Sequence, residues 1–190
     1  MLKNLFISKV RVKILDQYMT NFNASFHVRG LVRILDEEIN AVRRELLNLQ
    51  DAGILKSHKD GNKLVYKLNK DCSILWELRS MFFKESKIGT AILKETAMVE
   101  GIQVIVLTDS FLKNEYKNPT DLDLLVIGTM KIKELSNAIA KVEKELGREI
   151  RFSAITKEDF DFARKKKEPF LMNILENDKI ILFGQISDLL

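Results

Sequence analysis

The segment from Leu107 to Gly128 constrains the fold of this chain more than any other. It contains two carboxylates, Asp121 and Asp123, at the start of a strongly apolar run that we predict to be a strand over residues 121–127. Residues i and i+2 of a strand point to the same face, so both carboxylates are expected to project together beside a loop that begins near Ser110. Paired carboxylates of this kind can hold Mg²⁺ against the phosphates of a nucleotide.

The order of these residues resembles a known signature. Ser110 on a turn, followed after a loop by Asp121-x-Asp123 on a strand, is similar to the motif of minimal members of the polymerase-β-type nucleotidyltransferase superfamily. The tail from Lys167 to Gly184 resembles the end of the same minimal domains. The resemblance implies that Asp121 and Asp123 are catalytic residues and metal ligands, that Ser110 meets a nucleotide phosphate, and that Mg²⁺ and an NTP bind.

The chain departs from the family pattern at two places. Asp109 stands where the family has a glycine, which adds bulk and negative charge where phosphates would lie. The family's third carboxylate is missing, because the same-face residues at its expected place are Glu149, Arg151 and Ser153. We expect Arg151 to place a cation beside Asp123, with Glu149 as a more distant substitute ligand. The resemblance therefore implies a nucleotidyltransferase-like fold, and the two departures from the family pattern predict that its catalysis is impaired.

The N-terminal part of the chain has a helical pattern in three segments. We predict one helix after Ser8, a second over 28–35, and a third that has Asp36 as its N-cap and ends before Gly53. The third helix repeats apolar residues on one face, namely Ile39, Val42, Leu46 and Leu49.

A hairpin pattern follows the third helix. Residues 54–59 and 63–69 read as two short strands joined at Asp60-Gly61-Asn62. Residues 7–70 together resemble the winged helix-turn-helix of small bacterial and archaeal regulators, and the segment from Glu45 to Leu55 is similar to that family's exit from the recognition helix. The resemblance implies double-stranded DNA as a partner.

The expected DNA contacts come from two elements. The third helix would enter the major groove and the hairpin lysines would contact backbone phosphates. The predicted DNA-binding residues are Asn40, Arg43, Arg44, Lys56, Lys59, Lys63 and Lys67. The alternative is a protein–protein module, because winged helices also serve in that role.

Charge is distributed unevenly along the chain. Residues 1–90 carry 16 Lys and Arg against 10 Asp and Glu, within a whole-chain net charge of +4. A basic first half suggests a polyanionic partner, whereas the simpler alternative is a solvated lysine-rich surface.

A helical joint with a broad apolar stripe is predicted over 72–87, and we expect this stripe to be either interdomain core or a dimer seam. We predict a homodimer in which the Ile74–Phe83 part of this helix forms part of the interface.

The predicted organisation is a winged-helix domain over 1–70, a helical linker or dimerisation region over 71–98, and a nucleotidyltransferase-like domain over 99–190. The lone cysteine, Cys72, excludes an intramolecular disulfide.

These patterns predict an α+β protein: an N-terminal winged helix and a C-terminal mixed sheet with helices on one face. No apolar run reaches membrane-spanning length and no signal-peptide pattern is present, so we expect a cytoplasmic protein with no membrane partner. The leading hypothesis is a DNA-binding transcriptional regulator whose second domain acts as a sensor, partner or dimerisation module. The alternatives are an active Mg²⁺-dependent nucleotidyltransferase that moves NMP to a hydroxyl of protein, nucleic acid or a small molecule, and an antitoxin-like protein that binds another protein.

Overall fold

The structure is a computed structural model in which residues 2–185 and 187 are described. It contains both helices and small sheets, which confirms the predicted α+β class. The chain separates into two compact units, the first ending at Glu85 and the second beginning at Ser86. This division falls inside the predicted 71–98 linker. The helix that ends at Glu85 therefore belongs to the first unit, and the helix that begins after Ser86 belongs to the second.

The first unit contains five helices and three strands within the described residues. Its elements are α1 (Leu2–Leu5), α2 (Lys9–Met19), β1 (Ser25–His27), α3 (Val28–Leu35), α4 (Ile39–Asp51), β2 (Leu55–Asp60), β3 (Lys63–Leu68) and α5 (Leu75–Glu85). The three predicted helices and the hairpin are therefore confirmed.

Two helix starts in the first unit differ in how they are capped. Ser8 caps α2 as predicted, because its hydroxyl accepts from the Arg11 backbone N–H at 3.2 Å. The prediction that Asp36 caps the third helix is wrong. Asp36 instead ends α3 in the left-handed conformation, and Glu38 caps α4 by accepting from the backbone N–H groups of Asn40 and Ala41. An aspartate is among the few residue types that adopt this conformation readily.

The sheet of the first unit has the strand order β1-β3-β2 and is antiparallel throughout. Asp60 pairs with Lys63, so Gly61 and Asn62 alone form the turn between β2 and β3. The short strand β1 was not predicted, because residues 21–25 have the composition of a turn-rich break.

Helix α5 packs into the core of the first unit. Leu75 and Phe82 are buried there. Arg79 is fully buried, donates to the Met19 carbonyl at 3.0 Å, and lies with its guanidinium 4.5 Å from the centre of the Phe22 ring. The apolar stripe of the joint helix is therefore used mainly within this unit, and the homodimer stays a prediction.

The second unit is built on a mixed four-stranded sheet. Its elements are α6 (Lys87–Thr96), β4 (Ile102–Leu107), α7 (Asp109–Lys113), β5 (Leu124–Gly128), α8 (Ile132–Leu146), β6 (Phe152–Ile155), α9 (Lys157–Lys165), α10 (Pro169–Glu176) and β7 (Ile180–Phe183). The strand order is β6-β5-β4-β7, with β5 and β6 parallel and the other pairs antiparallel.

Both faces of the central strands are buried. Val106 and Leu125 pack against Phe160 of α9 and Leu171 of α10. The alternate positions of β4 and β5, such as Val126, are buried as well, and α6 and α8 pack against each other. The expectation of helices on one face is therefore wrong.

No helix in the part of the chain that the structure describes is both long enough and apolar enough to cross a membrane.

Candidate functional sites

Helix α4 presents a polar face on the side away from the core. Asn40, Arg43 and Arg44 are exposed, whereas Val42 and Leu46 of the same helix are fully buried. Neither arginine makes an ion pair within 4 Å with any residue that the structure describes. The positive charge of α4 is therefore available to a partner.

The hairpin carries the four predicted lysines on its surface. Lys56, Lys59, Lys63 and Lys67 are all exposed. Lys56 lies directly opposite Lys67 across β2 and β3, and its ammonium pairs with Asp71 at 2.6 Å. The charge of Lys56 is thus partly neutralised within the chain.

An ion pair between the partly exposed Arg11 and the buried Glu45 joins α2 to α4. The Glu45 carboxylate, in a residue only 4% exposed, accepts from Arg11 Nε at 2.8 Å and from Asn48 Nδ2 at 3.4 Å. Burial raises the pKa of Glu45, but hydrogen bonds with Ser8, Arg11 and Asn48 outweigh it, so the pKa is lowered overall. Glu45 was not predicted from the sequence, although a carboxylate on the apolar face of an amphipathic helix is a recognisable signal.

The second unit contains an open cleft with a volume of about 240 Å³. It lies between the start of α7, the loop before β5, and α10. Its lining residues are Thr108, Asp109, Ser110, Asn118, Thr120, Asp121, Leu122, Pro169, Phe170, Asn173 and Ile174. The cleft therefore brings together Ser110 and Asp121 of the predicted site, while Asp123 does not line it.

Asp121 does not lie in a strand. Its Oδ2 accepts from the backbone N–H groups of Lys117 at 2.6 Å and Asn118 at 2.9 Å, which closes a turn before β5 begins at Leu124. The Asn118 N–H is the main reason that the pKa of Asp121 is lowered. The strand predicted from residue 121 therefore starts three residues later, and the strand-based argument that Asp121 and Asp123 share a face does not apply.

Asp123 is 2% exposed, and both of its carboxylate oxygens accept hydrogen bonds. Oδ1 accepts from the Tyr116 hydroxyl and from Arg148 Nη2 at 3.2 Å, and Oδ2 accepts from the Arg151 backbone N–H at 2.9 Å. Burial, followed by the hydrogen bond to Asp123, raises the pKa of Tyr116. Asp123 is therefore held inside a hydrogen-bonded cluster.

The cation beside Asp123 is Arg148, which corrects the expectation that it would be Arg151. The Arg151 guanidinium instead lies 5.0 Å from the centre of the Tyr116 ring. The reason is that β6 begins only at Phe152, so Arg151 contributes its backbone to Asp123 and not its side chain. Arg148 was not identified from the sequence, because it lies just after α8 where no periodic pattern marks it.

Asp109 is paired within its own short helix. Its carboxylate lies 2.6 Å from Lys113 Nζ, which also pairs with Asp178 at 3.0 Å. Burial lowers the pKa of Lys113, but the two carboxylates outweigh this effect and raise it overall. The negative charge that Asp109 brings to the cleft is thus partly compensated.

The described residues do not fit the metal that the nucleotidyltransferase resemblance implies. They contain no group of three or more His, Cys, Asp or Glu residues that could hold a metal ion. Asp121 has one oxygen bound by two backbone N–H groups, and Asp123 has both oxygens engaged. A two-metal transfer site needs several free carboxylate oxygens facing one point.

Comparison with known proteins gives little additional information. No protein-family model matches the chain, and no curated protein matches it either. A solved structure, reduced HlyU from Vibrio cholerae N16961, is similar at 21% identity over 44% of this chain and 82% of that chain, with a TM-score of 0.34. A likeness at this level assigns neither a fold nor a function.

Proposed function

We propose that this protein is a DNA-binding transcriptional regulator. In this proposal the first unit is a winged helix that binds double-stranded DNA. The second unit is a nucleotidyltransferase-like module that no longer turns over and serves as a sensor, a partner surface or a dimerisation module. The observation that carries the proposal is the exposed face of α4, where Arg43 and Arg44 make no ion pair within 4 Å with any described residue and lie above a well-packed core.

The chemistry of this face suits a nucleic acid. Residues three and four apart on a helix are neighbours, so Asn40, Arg43 and Arg44 form one patch. A major groove admits an α-helix, and Asn and Arg side chains are well suited to bidentate contacts with adenine and guanine. The Arg11–Glu45 pair, of which only Glu45 is buried, holds α4 in place before any partner arrives, which lowers the entropic cost of binding.

The hairpin supports the same assignment. All four hairpin lysines are exposed, although the ammonium of Lys56 is paired with Asp71. Lysine–phosphate contacts would position the domain without reading sequence. Lys59 and Lys63 extend the positive charge toward the turn.

Fluorescence anisotropy with random-sequence and selected duplexes tests the DNA proposal. We expect the double variant Arg43→Ala/Arg44→Ala to bind about 30-fold more weakly or worse, because each bidentate base contact is worth roughly 1–3 kcal/mol and two are removed. The matched control is Lys133→Ala/Lys144→Ala, which removes the same charge from exposed positions of α8. Equal losses in both double variants would show that only net charge matters and would contradict the proposal.

The proposed lack of turnover in the second unit has its own test. We expect no label transfer when the protein is incubated with labelled NTPs, Mg²⁺ or Mn²⁺, and acceptors that include the protein itself. The reason is that Asp123 is engaged and Asp109 adds a carboxylate to the cleft. Robust transfer that disappears in Asp121→Asn would instead establish an active nucleotidyltransferase.

A further inference from the structure

We infer that Arg148 is a built-in counter-ion that takes the place of a divalent cation at Asp123, so that the second unit holds its Asp121–Asp123 loop in shape without metal. This inference concerns the second unit alone and does not depend on DNA binding by the first. The sequence motif implies that Asp123 is a metal ligand, whereas in the structure its oxygens accept hydrogen bonds from protein groups.

The Asp123 carboxylate is already saturated with hydrogen-bond donors. Mg²⁺ requires near-octahedral oxygen ligands at about 2.0–2.1 Å, and therefore needs carboxylate lone pairs that face open space. Asp123 is 2% exposed, with three donors from Tyr116, Arg148 and the Arg151 backbone already on its two oxygens. A dication could reach Asp123 only by displacing the guanidinium.

Arg148 is anchored by several contacts of its own. Its Nη2 donates to the Tyr116 hydroxyl oxygen at 3.1 Å as well as to Asp123, and its Nε donates to the Glu149 carbonyl at 3.3 Å. Its guanidinium also lies 5.0 Å from the centre of the Phe111 ring. A planar guanidinium can stack on a ring and donate in its own plane at once, which a lysine cannot do. The side chain is therefore held from several directions.

The positive charge of Arg148 balances the negative charge of Asp123. A buried carboxylate without a compensating charge costs several kcal/mol, whether the compensation comes from a metal or from a side chain. The Arg148–Asp123 pair supplies this compensation at 3.2 Å. Since Arg151 stacks on Tyr116 and meets Asp123 only through its backbone, its guanidinium does not serve the same purpose.

The test compares Arg148→Met with Arg151→Met in the full chain. Both variants lose a guanidinium that lies over an aromatic ring, but only Arg148→Met removes the cation that compensates the Asp123 carboxylate. We expect Arg148→Met to lower the thermal midpoint by about 5–10 °C, a value discounted for the partial exposure of Arg148. Mn²⁺ should restore part of this loss, and should leave the midpoints of the wild type and of Arg151→Met unchanged.

Mn²⁺ binding measured by electron paramagnetic resonance decides the question even where Arg148→Met fails to fold. We expect the wild type to bind no Mn²⁺ at Asp123. Any Mn²⁺ signal that the wild type shows should therefore persist in Asp123→Asn. Stoichiometric Mn²⁺ that disappears in Asp123→Asn would overturn the inference. A midpoint of Arg148→Met equal to that of the wild type, or a lowered midpoint that Mn²⁺ does not raise, would overturn it as well.

Discussion

Two carboxylates of this protein, Glu45 and Asp123, are buried in separate units, and each is compensated by an arginine distant in sequence. Arg11 compensates Glu45, and Arg148 compensates Asp123. Removing one partner of such a pair is costly because the other charge is left without compensation. Each pair also joins two elements. The Arg11–Glu45 pair joins α2 to α4, and the Arg148–Asp123 pair joins the end of α8 to the loop before β5.

Glu45→Gln is expected to destabilise the protein at pH 7 by about 1 kcal/mol, a modest value because Arg11 is partly exposed and solvent screens the pair. The pKa of Glu45 is lowered in the folded state, so the stabilisation is present above the unfolded pKa and is lost as the pH falls through the folded pKa. Urea unfolding should therefore show a difference between wild type and variant that shrinks from pH 7 toward acid. The exposed Glu77→Gln is the control, and an equal effect of both substitutions would contradict the account.

The sequence predicted part of the arrangement around Asp123 but not the ion pair that Asp123 makes. Ser110 and Asp121 were expected beside one another, and both line the cleft. Arg148 could not be predicted as the partner of Asp123, because the choice between Arg148 and Arg151 depends on where β6 begins. A shift of one residue turns each side chain of a strand to the other face of the sheet, so the face that a given arginine occupies depends on the exact register.

At the scale of elements, segments with a clear apolar pattern were predictable and segments without one were not. Helices α2, α4 and α8, the β2–β3 hairpin and strand β7 follow from their apolar spacing and turn residues. The short elements β1 and α7 were missed. A strand as short as β1 is stabilised by pairing with β3, which local sequence does not reveal.

Gly128→Ala is expected to destabilise the second unit by about 3 kcal/mol, because overpacking against fixed backbone is costly. Gly128 has φ +148 in β5, and an added Cβ would lie 2.1 Å from the Gly101 carbonyl oxygen. Gly147→Ala provides the matched control. Its φ is also positive, at +67, but no atom lies within 4 Å of an added Cβ, so a cost of only about 1 kcal/mol is expected. Equal unfolding free energies for the two variants in urea would contradict the packing described for β4 and β5.

At the scale of the whole molecule, the two units differ in what they offer a partner. The first presents exposed cations on α4 and the hairpin, and the second presents a cleft that contains the carboxylates of Asp109 and Asp121. The sequence predicted this contrast from the uneven distribution of charge. It could not reveal that the stripe of α5 is used within the first unit, because an amphipathic pattern does not identify which surface covers it.

A homodimer is expected from the size of a DNA half-site, since a single winged helix covers only one. Light scattering should give twice the 22.0 kDa chain mass at micromolar concentration. Ile74 stays 52% exposed just before α5, so Ile74→Glu should weaken the dimer while the neighbouring Ser73→Glu should not. A monomer throughout the micromolar range would refute this prediction.

The salt dependence of DNA affinity tests the central claim most directly. If the α4 arginines and the hairpin lysines neutralise several phosphates, the logarithm of the affinity should fall linearly with the logarithm of salt concentration, by about 0.9 per phosphate contact. The slope should become shallower in Arg43→Ala/Arg44→Ala and stay unchanged in Lys133→Ala/Lys144→Ala. An affinity for duplex DNA that is flat from low to moderate salt would contradict the assignment of the first unit as a DNA-binding module.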